Sequence, residues 1–212
     1  MNTIQKSIFK LTILSSLVVC GQAQAQAKRT SILPATLQIK IAEQAAPPDQ
    51  RAGAKVYGYS PQGDFTVLRV GSNHTICLAP NPKQAGLFAY AYFDQLEPFM
   101  ARGRELVAEG KKYQEKNDIR EAEVKSGKLK MPKQASILYV YWGEEENLDR
   151  ETGEIKDALR RYVVYIPYAT GASTGLSETP SVPGLPWLME AGTYKAHIMM
   201  NPENLSMDHG QH

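Results

Sequence analysis

His197 and Met199 stand two residues apart in Tyr194–Met200, a stretch that alternates as a β-strand does, so both side chains leave the same face. Met207-Asp-His209-Gly-Gln-His212 follows within reach. Thioether and imidazole together suit copper, and thioether sulfur favours Cu(I). The metal set offered by this spacing is therefore His197, Met199, Met207 and His209, with copper as the cofactor it would hold. Methionine is also ordinary core filler, and chain termini carry histidines without any metal, so the same residues fit a plain strand and tail.

Imidazole titrates near neutrality, which makes His74 and His197 the candidates for a general base in an enzymatic reading. Residues 169–193 hold four glycines and three prolines with no periodicity. Loops of that length inside a domain are usually functional or disordered. Trp187 and Met189 lie in this one, favour a docked loop, and are the ligand-binding candidates.

Other patterns carry less. Gly171-Ala-Ser173-Thr-Gly175 matches G-x-S-x-G and follows a strong strand, but prolines stud the chain from Leu176 to Pro186, where a nucleophile elbow needs a helix. The pattern reads as a chance match in a Ser/Gly loop. His74-x-x-Cys77 lies on strand-like chain, where residues three apart point to opposite faces and cannot chelate together. Glu144, Glu145, Glu146, Asp149, Glu151, Glu154 and Asp157 crowd one loop without the Ca²⁺-loop spacing, and read as a solvated hairpin tip.

The elements that would position these residues follow from the apolar periods. Leu37-Gln-Ile-Lys-Ile41 alternates like a short strand. Val56–Tyr59, Phe65–Val70 and His74–Leu78 are separated by turn residues and read as a meander of antiparallel strands. Leu96–Glu109 is helical in period: Pro98 suits the first turn, and Phe99, Leu106 and Tyr113 form an apolar stripe. A second helix is expected over Asp118–Lys125, stopped by Gly127. Half of residues 101–130 are charged, with both signs interleaved, as on a solvated helical face. Strands return at Ala135–Trp142, at Arg160–Tyr168, which is apolar on both faces, and at Tyr194–Met200.

Residues 1–27 have the three parts of a cleavable secretory signal: Lys6 and Lys10, the nine-residue run Leu11–Val19, and Ala23-x-Ala25-x-Ala27. The run is far shorter than the roughly 20 residues that span a bilayer. Cys20 follows Val19, a poor residue before a lipidated cysteine, where a small side chain is needed. Removing the two leader lysines balances the remaining charge at 22 basic against 22 acidic residues. That balance argues against a nucleic-acid partner and against docking on an anionic membrane. Cys77 is left as the one cysteine after the leader, and it reads as buried and free.

Several phrases resemble a group of uncharacterised exported bacterial proteins: Val56–Tyr59, Cys77–Ala79, Leu96–Leu106, Gly127–Pro132, Tyr162–Tyr168, Pro186–Thr193 and Ala196–Met199. The resemblance covers most of the chain after the leader and carries no assigned activity. It implies export and a single domain. It also implies a second cysteine near Tyr90-Ala-Tyr92 in relatives, which this chain lacks.

The expectation is one α+β domain over 28–212, with a flexible tail from about 201. It should be a mainly antiparallel sheet with one or two helices packed on it and no transmembrane segment after the leader is cut. The function expected is non-enzymatic binding of a small molecule or an envelope protein, in the periplasm or outside the cell. The alternative is an envelope enzyme with a histidine site near 169–193.

Overall fold

The structure is a computed structural model that describes residues 31–203. The expected leader, Cys20, Met207, His209 and most of the tail lie outside the described residues.

Leu37–Ile41 is not a strand. It belongs to helix α1, Ala35–Gln44. Leu37 and Ile41 are four residues apart, and with Leu33, Ala42 and Ala45 they form one buried helical face. A one-turn helix, α2 (Pro48–Arg51), follows, and then strands β1 (Lys55–Tyr59), β2 (Phe65–Arg69), β3 (Thr75–Leu78) and β4 (Leu87–Phe93). The helices α3 (Glu97–Ala108) and α4 (Tyr113–Lys125) come next, so the second helix begins a turn earlier than Asp118. Strands β5 (Ser136–Gly143) and β6 (Leu159–Tyr165), the one-turn helix α5 (Gly171–Thr174), and strands β7 (Trp187–Met189) and β8 (His197–Met200) complete the described chain.

The strands form one eight-stranded sheet in the order β2-β1-β3-β4-β5-β6-β8-β7. Every pairing is antiparallel except that of β1 with β3. The fold is α+β, richer in helices than the one or two expected. Among the described residues no helix is long and apolar enough to cross a membrane.

Alternation along β4 shows how the sheet is covered. Leu87, Ala89 and Ala91 point to one face, where their small side chains admit α1; all three are fully buried. Phe88, Tyr90 and Tyr92 point to the other face, where α3 lies. Arg102 on α3 joins Glu123 on α4 through Nε, at 3.0 and 2.9 Å from the two carboxylate oxygens.

Helix α3 leaves the end of β4 and covers only half of its face. Tyr92, Leu138 and Val163 are buried in that half. Phe88, Trp142, Leu159 and Arg161 lie toward the opposite strand ends and are all partly exposed.

Candidate functional site

The register gathers four of the sequence-predicted residues. Met199 pairs with Trp187 on one side and Val163 on the other; His197 pairs with Met189 and Tyr165. Directly paired residues share a face, so Trp187, Met189, His197 and Met199 all point to the α3 side of the sheet. Leu188 points to the opposite side and is fully buried. Residues 169–193 are therefore not structureless throughout: they contain α5 and the edge strand β7.

His197 is 9% exposed. Its Nδ1 lies 2.7 Å from the carbonyl oxygen of Lys195, so Nδ1 carries the proton and donates it there. Its ring centroid lies 5.2 Å from that of Tyr165. Burial pulls its pKa below the ordinary value, which keeps it neutral at pH 7. Met199 packs beside Val163 in the apolar core of the same face. Two members of the expected copper set are thus on one face, while Met207 and His209 lie outside the described residues.

His74 is elsewhere. It precedes β3, four places from β8 in the sheet, and its exposed Nδ1 lies 2.8 Å from Asp94 Oδ2. The two histidines do not form one site. Cys77 faces α1, fully buried, and burial pushes its thiol up to about 12. Ser173 spends its hydroxyl locally, donating to Thr170 O at 3.0 Å within the cap of α5. Asp149 accepts the backbone N–H groups of Glu151 and Thr152 at 2.7 and 3.1 Å. Among the described residues no three His, Cys, Asp or Glu side chains converge to hold a metal.

The strongest feature of this face was not singled out in the sequence. Arg161 sits on central strand β6 with its guanidinium 5.4 Å from the centre of the Trp142 ring. No described carboxylate lies within 4.0 Å of it, and its Nε is buried without a hydrogen-bond partner. Trp187 Nε1 and Asn201 Oδ1 are also buried without partners. Asn201 follows β8 directly; the alternation carried one residue on places it beside Arg161, since Met200 pairs with Tyr162. Orphaned buried polar atoms cost about 1–3 kcal/mol each. Arg161 and Asn201 are register neighbours at one end of this sheet face, beside the Phe88–Trp142 stack, whose rings are 6.0 Å apart and 3° from parallel; Trp187 stands on the same face in register with Val163.

Protein-family models, curated proteins and solved structures give no match to this chain. A guanidinium, an indole N–H and a carboxamide oxygen supply donors of both charged and neutral type and one acceptor. The aromatic rings beside them offer a flat apolar floor. Such a surface recognises a planar or apolar body carrying an acceptor or an anionic group. An open groove of about 520 Å³ lies at the same strand ends; Leu159 and Asn201 line it from the α3 side, and Tyr162 and Met200 from the α1 side.

The signal for Arg161 was present: an arginine inside a central strand whose following residues, Tyr162–Tyr165, are all apolar or aromatic. Reading Arg160–Tyr168 as apolar on both faces hid it.

Proposed function

We propose that the protein is an exported, non-enzymatic binding protein of the cell envelope, whose ligand docks on the open half of the α3 face around Arg161, Trp142 and Trp187. The reading rests first on Arg161. A partly buried guanidinium without a carboxylate carries a desolvation cost that a bound anion would offset. The three partnerless polar atoms point the same way, since a ligand would complete their hydrogen bonds. The resemblance to exported bacterial proteins and the secretory leader motivate the compartment.

The enzymatic alternative would use His197. Its imidazole is almost closed off and its Nδ1 is held by Lys195 O, an arrangement that favours a packed core histidine over a working base.

Native mass spectrometry on the protein purified from the envelope of its host tests this reading, beside the same sample denatured. The denatured mass is expected to show loss of residues 1 to about 25 or 27. The native mass is expected to exceed it by a small molecule, and that excess should vanish in Arg161→Gln. An uncut leader would overturn the assignment to the envelope. A bare native mass, or a ligand that Arg161→Gln retains, would overturn the site.

A further inference from the structure

A second cationic centre lies under α4, away from the Arg161 half of the sheet. Lys116 and Arg120 are one turn apart on α4 and share a helix face. Lys195 reaches the same place from the chain leading into β8. The ammonium groups of Lys116 and Lys195 lie 5.5 and 5.3 Å from the centre of one ring, that of Tyr113. Tyr194 ties the two segments together, its hydroxyl donating to Asn117 O at 3.1 Å.

The charges there do not balance. Lys195 is paired with Glu190 at 2.6 Å. Neither Lys116 nor Arg120 has a described carboxylate within 4.0 Å. The other acids of α4 are engaged elsewhere: Glu115 with Lys111, Asp118 with Gln114, Glu121 with Lys125, and Glu123 with Arg102. Arg120 is only 8% exposed. Its guanidinium lies 4.1 Å from the Phe99 ring centre, Nη2 donates to Asn117 Oδ1 at 3.0 Å, and Nε has no partner. Burial, then the charges of Arg120 and Lys195, pull the Lys116 pKa down. Like charges one turn apart destabilise a helix, and an unpaired charge at this depth is costly.

We propose that Lys116, Arg120 and Lys195 form a binding site for a multi-oxygen anion of the phosphate class. Two ammonium groups and a guanidinium fork suit an anion that presents several oxygens at once. Tyr113, 48% exposed, forms the entrance wall between the two lysines. Glu190 neutralises one of the three cations, which leaves Lys116 and Arg120 as the uncompensated pair and Lys195 as a positioned donor beside them. The anion comes either free or as the headgroup of an envelope phospholipid. The site uses nothing of the Arg161 half, so each proposal stands or falls alone.

The probe is inorganic phosphate, followed by calorimetric titration and thermal unfolding, with chloride at matched ionic strength as the control. Phosphate is expected to raise the melting temperature of the wild type where chloride does not. Lys116→Gln, which removes a partly exposed charge, should fold normally and weaken phosphate binding by about tenfold or more. Arg120→Gln should do the same, with circular dichroism checking its fold. In a parallel arm, the protein is sedimented with phosphatidylcholine vesicles, with and without phosphatidylglycerol. Capture by the anionic vesicles that Lys116→Gln abolishes, without a response to free phosphate, would assign the anion to a headgroup. If neither phosphate nor anionic vesicles distinguish Lys116→Gln from wild type, the site is refuted.

Discussion

The side chain of Gln38 exchanges two hydrogen bonds with the backbone of Tyr59: Nε2 donates to its carbonyl at 2.9 Å, and Oε1 accepts its N–H at 2.8 Å. A carboxamide on α1 thereby satisfies Tyr59, the last residue of β1, beyond Tyr57 where the pairing with β3 ends. Nε2 also donates to Leu33 O at 2.7 Å, and Gln38 is 2% exposed. Replacing it by Leu would leave buried backbone groups of Tyr59 and Leu33 unpaired. Gln38→Leu is expected to lower stability by about 2–4 kcal/mol, read from urea unfolding.

Gly153 makes a close contact two residues further along α1. Its φ is +79°, and an added Cβ would fall 2.6 Å from Lys40 Cβ and 2.7 Å from the Lys40 backbone carbon. Backbone cannot give way as a side-chain tip can. Gly153→Ala is expected to cost at least about 2 kcal/mol, with a lowered melting temperature and an unchanged far-ultraviolet spectrum at low temperature.

Arg161→Gln should separate binding from folding. Because the cation it removes has no described carboxylate partner, the ligand-free variant is expected to unfold within about 1 kcal/mol of wild type. Loss of the co-purifying molecule in a variant of unchanged stability would mark Arg161 as a ligand contact. A large loss of stability would mark it as a structural residue.

His197 predicts an acid-sensitive fold. Its folded pKa lies below the unfolded value of 6.5, with burial the leading cause. The unfolded chain therefore binds the proton more readily, and stability rises with pH through that range. The contribution is present above about pH 6.5 and is lost as pH falls toward the depressed folded pKa. His197→Gln should flatten this part of the profile, measured as melting temperature from pH 7.5 to 5. An equally steep profile in the variant would place the acid sensitivity in other groups.

Cys77 is expected to be inert. It is fully buried, and its thiol pKa is pushed up to about 12. At pH 8 almost none of it is thiolate, which is the reactive form. Peptide mapping after iodoacetamide should find Cys77 unmodified in the native protein and fully alkylated after denaturation.

Much of the fold was legible because its signals were local. Phe65–Arg69, Thr75–Leu78, Ser136–Gly143 and Leu159–Tyr165 carry strand residues between clear turns, and Pro98 with the Phe99–Leu106 spacing marks α3. Leu37-Gln-Ile-Lys-Ile41 misled because its apolar residues fit both periods: Leu37 and Ile41 satisfy a helix, while Ile39 between them completes an alternation. Only the sheet surface beneath, with Ala89 and Ala91 leaving room, decides between the two. Strand β4 went unread because Ala89 and Ala91 are poor strand formers. Of the candidate site, only Trp187 stood among the residues that the sequence pointed to; His197, Met199 and Met189 share its sheet face but pack away from Arg161. Arg161 and Asn201 were not legible, because their proximity arises from strand pairing across residues far apart in the chain.

Lys40 donates to Glu151 O across a separation of 111 residues, and Arg160 donates to Gln44 O across 116. Helix α1 has ten residues, no side-chain cap and Pro34 at its start, and helices that short are marginal in water. Its packing partners are the nearby strand β1 and the distant β4 and Asp149–Ile155 turn. Part of the docking of the first described element thus closes loops of more than a hundred residues, and long-range closure of this kind slows folding. Until then Leu37, Ile41 and the Ala89–Ala91 surface stay exposed to other chains. The apolar seam between α1 and the sheet is therefore the surface that an incompletely folded chain would offer for aggregation.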